Sequence, residues 1–463
     1  MSKIRATVSP VDGSVYVERP LVTTADVQHA LEKAVTAQAE WRKTSIAERA
    51  EIGRKAVDVF LANQEAIAEE ISWQMGRPIR YAAGEVAGLA ERAHHMIAIA
   101  DSALANIELP KKDGFIRYIK REPLGVALVI APWNYPYLTA INAVMPAIMA
   151  GNAVLLKHSA QVPLCCERFQ QAFDAAGLPD GVFQYLHLDH ADTEALIASP
   201  HIDYVAFTGS VPAGAMVERA AAGRFIGVGL ELGGKDPAYV RHDADLDQAV
   251  ETTIDGAFFN SGQSCCGIER IYVHASLYDA FVEKAVALVK QYTLGRPDDP
   301  ETTLGPVVKA SAAEFVRAQV ADAVAQGAVA HIDPATFAMD QVGTPYLAPQ
   351  VLTNVDHSMR VMTEESFGPV VGIQRVENDD EAVALMNDSE FGLTAAIFTQ
   401  DIEAGVALGE RVATGTLFIN RCDYLDPALA WTGIKNSGRG CTLSSLGYEA
   451  LTQPKSFHIK TQS

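Results

Sequence analysis

The sequence is poor in positive charge. Across 463 residues, 37 Lys and Arg stand against 57 Asp and Glu, a formal net charge of −20, and no basic cluster interrupts the acidic background. That excludes an electrostatic grip on nucleic acid or an anionic membrane and leaves a small-molecule ligand open. Long apolar runs are missing too. The longest mostly apolar stretch, AVMPAIMAGNAVLL at 143–156, is too short to span a bilayer and contains Pro, Gly and Asn. The opening MSKIRATVSPVDGSVYVERP has no apolar core after its basic residues, so it does not read as a secretory signal. Cysteine is scarce: the six residues Cys165, Cys166, Cys265, Cys266, Cys422 and Cys441 form no C-x-x-C pair and no His spacing that would hold zinc. Reduced thiols in a cytoplasmic protein, with no metal, are the expectation. There is no internal repeat, low-complexity tract or disordered linker.

What is present is a well-packed chain, 49% hydrophobic and 20% charged, of a length that predicts two or three domains. Helical spacing opens it. In DVQHALEKAVTAQAEW the apolar stripe is Val27, Ala30, Leu31, Ala34 and Val35, and similar patterns cover 46–71 and 80–106. The β-rich FIRYIK at 115–120 follows as a strand or arm. From residue 125 strands alternate with helices. GVALVIA and AVLLK (153–157) read as fully buried strands around a helix at 138–150. A further helix at 163–176 stops at Gly177. GVFQYL, DYVAF and FIGVGLEL continue the alternation, which predicts a parallel, doubly wound sheet with ligands beyond its carboxyl edge. A second α/β unit begins near residue 234, with a helix at about 244–259. Another runs over 277–293, with Ser276 as its N-cap, and the tail 451–460 reads as a final strand.

Several short stretches could carry chemistry, and each has a plain alternative. In NSGQSCCG two thiols stand side by side in a loop at an element end, where reactive groups collect; a cysteine is also commonly just a small packed hydrophobe. In VIAPWNYP two prolines rigidify the turn that displays Asn134, either an amide donor for a developing oxyanion or an Asx-turn residue. In ELGGKDP, Glu231 closes an apolar strand, as a base with raised pKa or as a turn cap. The turn of YVAFTGSVPAG does not match the dinucleotide fingerprint G-x-G-x-x-G. Gly209 and Ser210 nonetheless put a permissive backbone at a helix N-terminus, which attracts phosphate. Lys157 in LLKHSAQVP could hold phosphate or ribose, or be a solvated charge. Glu365 in TEESFGPV could hold a ribose beside Phe367, or be a loop acid.

The order of these pieces is more telling than any one of them. P-W-N-Y-P around Asn134, Lys157, F-T-G-S at 207–210, E-L-G-G at 231–234, G-Q-S-C at 262–265 and E-E-S-F-G-P-V at 364–370 resemble the aldehyde dehydrogenase superfamily. So do S-G-R-G at 437–440 and Y-E-A-L-T-Q-P-K-S at 448–456. The resemblance covers nearly the whole chain. It implies two Rossmann-like doubly wound α/β domains and a small β oligomerisation arm. A cofactor domain would take 1–106 and 124–233, a catalytic domain 234–438, and the arm and tail 107–123 and 439–463, in a homodimer or homotetramer.

By the same resemblance Cys265, not Cys266, is the nucleophile, Asn134 the oxyanion donor and Glu231 the base that hydrolyses the thioester. Ile130, Trp133, Lys157, Ser159, Gly209, Ser210, Leu232, Glu365 and Phe367 would hold a nicotinamide cofactor. Tyr135, Leu138 and Asn142 would line the aldehyde tunnel. Two departures matter. Ala160 in KHSA takes the place of the glutamate that holds the adenosine ribose in many relatives, so NADP is expected to serve as well as NAD. Asn142 stands where some succinic semialdehyde enzymes carry an arginine, which leaves Arg421 as a candidate cation for a charged substrate. Two other activities compete: a CoA-acylating semialdehyde dehydrogenase, disfavoured because Glu231 is present, and a cysteine esterase without a redox step, disfavoured by the cofactor motifs.

Overall fold

The computed structural model describes residues 3–461. Two parallel sheets organise the chain. The first has the order Gly438–Arg439, Gly227–Glu231, Tyr204–Thr208, Val126–Ala131, Ala153–His158, Phe183–Tyr185, all parallel except the two-residue edge strand. Val126–Ala131 is buried along its whole length, as a central strand covered on both faces must be. Strand order reverses between it and Tyr204–Thr208, so their carboxyl ends open a crevice at the switch point of the sheet.

The second sheet has the order Val329–Ala330, Gln350–Thr353, Val370–Val376, Ile268–His274, Asp236–Val240, Thr394–Phe398, Thr416–Ile419. Only its short first strand is antiparallel. A separate antiparallel sheet joins Thr452–Lys460, Phe115–Pro123 and Ile107–Glu108, and a hairpin pairs Ile4–Val8 with Val15–Pro20. The strand Gly438–Arg439 straddles the boundary expected at 438/439 and joins the first sheet, opposite Glu231 and Leu230. Among the described residues no helix is long and apolar enough to cross a membrane.

The helices differ in detail from the periodicity reading. The first runs Thr24–Trp41 behind a capping box of Thr23 and Asp26. It buries Ala30, Leu31, Ala34, Gln38 and Trp41, whereas Val35 is exposed. The stripe drifts this way because Trp41 docks its indole N–H on the Ile148 carbonyl and sets the helix's roll. The expected helix at 46–71 is two, Ile46–Ala62 and Gln64–Met75, divided at Asn63, whose side chain turns back to the Val59 carbonyl. The segment 80–106 likewise divides into Ile79–Ala82 and Gly84–Ala103. Ser276 is not a cap: its hydroxyl pairs with His274 Nδ1, and the helix begins at Tyr278. The helix at 163–176 does end on Gly177 in the left-handed region, φ 81°.

Candidate active site

Cys265 sits on a loop that the chain holds by many bonds. The helix Leu246–Phe258 ends in a tight turn where Asn260, Ser261 and Gly262 take φ of 54°, 57° and 71° in succession. Left-handed backbone at two non-glycine residues costs on the order of 1–3 kcal/mol each and needs strong local restraint. The restraint is visible. The Asn260 amide donates to the Gln263 carbonyl at 3.2 Å, Ser261 Oγ to the Gly305 carbonyl at 2.8 Å, and Gln263 Oε1 accepts from Val308 N–H at 2.7 Å. At Gly262 a Cβ would lie 2.2 Å from the Gly368 carbonyl oxygen, so no other residue fits. The adjacent thiols then diverge. Cys265 is partly open, whereas Cys266 is buried and its Sγ donates to Asp423 Oδ1 at 2.9 Å. The neighbouring Cys265 and burial hold the Cys266 thiol well above its ordinary pKa, and burial pushes the Asp423 carboxyl up to about 6.

Asn134 lies beyond the end of Val126–Ala131, buried, with its amide donating to the Gln263 carbonyl at 3.2 Å. One buried ion pair ties this loop to the cysteine loop. Arg77 pairs with Glu85, donates to the Asn134 carbonyl at 2.5 Å and to Asn260 Oδ1 at 3.1 Å, and stacks 4.4 Å over the Tyr135 ring. Glu85 Oε1 in turn accepts from the N–H groups of Tyr137 and Leu138, both at 3.0 Å. Those are free donors in the first turn of the helix Pro136–Ala150, where a carboxylate also meets the positive end of the helix dipole.

Glu231 ends its strand facing the same space. It accepts from Thr442 Oγ1 at 2.6 Å and from Thr208 Oγ1 at 3.1 Å. Burial raises its pKa, against the opposing pull of those two hydroxyls and of the Arg92 charge.

Cys265, Glu231, Tyr135, Leu138 and Asn142 line one cavity of about 500 Å³, with Asn134 buried beside it. Arg421 is not brought there. It is exposed, stacked 3.8 Å from the Tyr424 ring over an adjoining recess with Leu429 and Trp431. The cavity's own cations are Arg77, held by Glu85, and Arg92. Arg92 Nη1 donates to the Leu138 carbonyl at 2.9 Å and to Asn142 Oδ1 at 3.2 Å, and no carboxylate pairs with it among the described residues. Among the described residues Asn142 Nδ2 and the Tyr135 hydroxyl are buried without partners. Glu91, Asp255 and Asp423 also line the cavity.

A second groove of about 540 Å³ is lined by Trp133, Ser159, Gln263, Glu365 and Phe367. Phe367 meets Trp133 edge to face at 5.7 Å. Glu365 accepts from Gly234 N–H at 3.0 Å, and a Cβ on Gly233 would collide with its carboxylate. Burial, reinforced by Glu269, pushes Glu365 up to about 7. Lys157 is the last but one residue of the strand Ala153–His158, opposite Ile130 in the register, and burial lowers its pKa. Gly209 N–H bonds the Glu231 carbonyl, and Ser210 caps the helix Val211–Ala221 by position without a side-chain bond. Leu232 is buried against Gly214. Ile130 is likewise a core residue, so Ile130 and Leu232 offer a ligand mainly their backbone. Among the described residues no group of three or more His, Cys, Asp or Glu is placed to hold a metal.

The aldehyde dehydrogenase family model matches residues 2–457. The chain belongs to the aldehyde dehydrogenase family. It is an NAD(P)-dependent oxidoreductase acting on an aldehyde. A succinate-semialdehyde dehydrogenase [NADP(+)] of Deinococcus radiodurans is 37% identical over 450 residues, covering 97% of this chain and 94% of its own. Succinate-semialdehyde dehydrogenase [NADP(+)] 1 of Mycobacterium tuberculosis H37Rv is 35% identical over 456 residues, with 98% and 99% covered. The crystal structure of succinic semialdehyde dehydrogenase from Streptococcus pyogenes with NADP+ superposes at a TM-score of 0.94. It has 29% identity and covers 99% of this chain and all of that one.

Sequence reasoning missed Arg77, Glu85, Arg92 and Asp423. A signal existed for two of them. On the helix Gly84–Ala103 the buried face is Glu85, Val86, Leu89, Ala90, Arg92, Ala93, Met96, Ile97 and Ala100. Two charges within an apolar stripe need partners or a ligand. Arg77 and Asp423 lie in loops and carry no such pattern.

Proposed function

We propose that the enzyme oxidises succinic semialdehyde to succinate with NADP, by way of a thioester on Cys265. The observation that carries this reading is the cavity itself. Cys265 and Glu231 face it together, and its one cation without a carboxylate partner among the described residues is Arg92. Cys265 Sγ adds to the aldehyde carbon as thiolate. The Asn134 amide, on the loop bonded to Gln263, is the donor to the oxyanion in this reading, a contribution of roughly 2.7–4 kcal/mol in comparable sites. Glu231 takes a proton from the water that cleaves the thioester, releasing the acid and the thiolate. The raised pKa makes it a stronger base. Arg92, with Asn142 Nδ2 beside it, is the partner for the substrate's distal carboxylate.

The residues along the first sheet fit a nicotinamide dinucleotide. A half-buried lysine, with no acidic partner among the described residues, stands near the strand end, a helix N-terminus follows Gly209, and Glu365 and Phe367 stand at the groove. Such a cofactor supplies the hydride acceptor. NADP is favoured because Ala160 puts no carboxylate against a 2′-phosphate, and because the relatives above are named for NADP.

A second reading has its own observation: Glu91, Asp255 and Asp423 line the cavity and would suit an ω-amino aldehyde. One experiment separates the two. kcat/KM is measured for succinic semialdehyde, butanal and 4-aminobutanal on wild type and Arg92→Leu. The variant should lose about 10- to 100-fold on succinic semialdehyde, the worth of a hydrogen bond to a charged group, and little on butanal. A wild type that prefers the amino aldehyde refutes the semialdehyde reading. Equal loss on all three substrates makes Arg92 a packing residue.

A further inference from the structure

Two cations converge where the first sheet meets the N-terminal hairpin, and among the described residues no carboxylate pairs with either. Lys157 is mostly buried, and no carboxylate is among the groups acting on its ammonium; burial lowers its pKa first, and Arg5 second. Arg5 lies on the strand Ile4–Val8, which is clipped onto the turn after Lys157. Thr7 Oγ1 donates to the Ala160 carbonyl at 2.8 Å, and Gln161 Nε2 donates to the Val8 carbonyl at 3.0 Å.

Side chains two apart on a strand share a face, so Arg5 points to the same side as Thr7, toward that turn. Its cross-strand neighbour Arg19 is already used, held by Glu167 through bonds of 2.6 and 2.9 Å. Arg5 is exposed and makes no side-chain bond among the described residues. Two unpaired like charges in one corner repel, and an anion that binds there relieves the repulsion.

We propose that Arg5 joins Lys157 and Ser159 in holding the 2′-phosphate of NADP, so that the N-terminal hairpin is part of the cofactor-selecting site. The inference rests on the reading of NADP as cofactor. The 157–160 turn supplies a cation, a hydroxyl and, at Ala160, room; the hairpin supplies a guanidinium whose planar fork matches phosphate oxygens. Because Thr7 bonds a backbone carbonyl, the clip forms whatever side chain stands at 160.

The test is calorimetric titration of the cofactor-free protein with NADP, NAD, adenosine 2′,5′-bisphosphate and ADP. In wild type the 2′-phosphorylated ligand of each pair should bind at least as tightly. Arg5→Gln should weaken NADP and the bisphosphate by about tenfold, the lower worth of one charge-assisted bond, and leave NAD and ADP unchanged. Arg5→Lys should recover part of the loss, and added salt should shrink the wild-type preference. Equal weakening of all four ligands, or of none, overturns the role of Arg5 while leaving the NADP reading intact. A wild type that binds NAD far more tightly than NADP overturns both, and that result appears before any variant is made.

Discussion

Removing the Thr442 hydroxyl should move the acid limb of turnover to higher pH. Glu231 accepts bonds from Thr442 at 2.6 Å and Thr208 at 3.1 Å, and both favour the carboxylate. Burial works the other way and prevails, so the pKa is raised. A hydrogen bond to a charged group is worth about 1.5–3 kcal/mol. At 1.36 kcal/mol per unit, its loss in Thr442→Val lifts the Glu231 pKa further, by about 1–2 units. In the proposed role the base acts as carboxylate, so hydrolysis should be complete above that pKa and fail as pH falls through it. The variant therefore fails at the higher pH. Stopped-flow absorbance of the reduced cofactor separates the steps, since the burst reports acylation and the following slope reports hydrolysis. Thr442→Ser, which keeps the donor, should retain the wild-type limb. Glu231→Gln should give one burst and then turnover roughly 10²–10⁴-fold lower. A limb that stays put in Thr442→Val, or moves to lower pH, would refute the reasoning.

Cys265→Ser should abolish turnover while NADP still binds by titration. Cys266→Ser should keep most activity, because a serine hydroxyl can still donate to Asp423; if the second variant is the dead one, the nucleophile is Cys266. Arg77→Met strands Glu85 as an unpaired buried charge and should cost about 3–5 kcal/mol, read as a lowered Tm by calorimetry. Adding Glu85→Gln should restore part of it, and an unchanged Tm in the single variant would show that the pair does not hold the two loops.

Local pattern carried much of the fold. The buried strand Val126–Ala131, the helix stop at Gly177 and the tail strand Thr452–Lys460 follow from apolar runs, a left-handed glycine and β-rich composition. Where it misled, a tertiary contact or side-chain bond outweighed periodicity. Asn63 turned back on its own helix, the hydroxyl of Ser276 went to His274, and Trp41 set the roll that left Val35 in solvent.

By itself the sequence determined the family, the strand–helix alternation and the loops that carry Asn134, Glu231 and Cys265, because motif order and hydrophobic period are local properties. Only the tertiary structure decided how those loops are held and which charges face the cavity. Arg77 reaches Asn260 across 183 positions, Glu231 reaches Thr442 across 211, and Cys266 reaches Asp423 across 157. No spacing rule encodes such contacts. The choice between Arg92 and Arg421 shows the reason most clearly: Arg421 stands one position before Cys422, which lines the cavity, yet is exposed, stacks on the Tyr424 ring and does not line it. Arg92 stands in a helix stripe of buried alanines and larger apolar side chains and faces the cavity. The side a charged residue faces is settled by packing against elements distant in the chain, which a linear pattern does not contain.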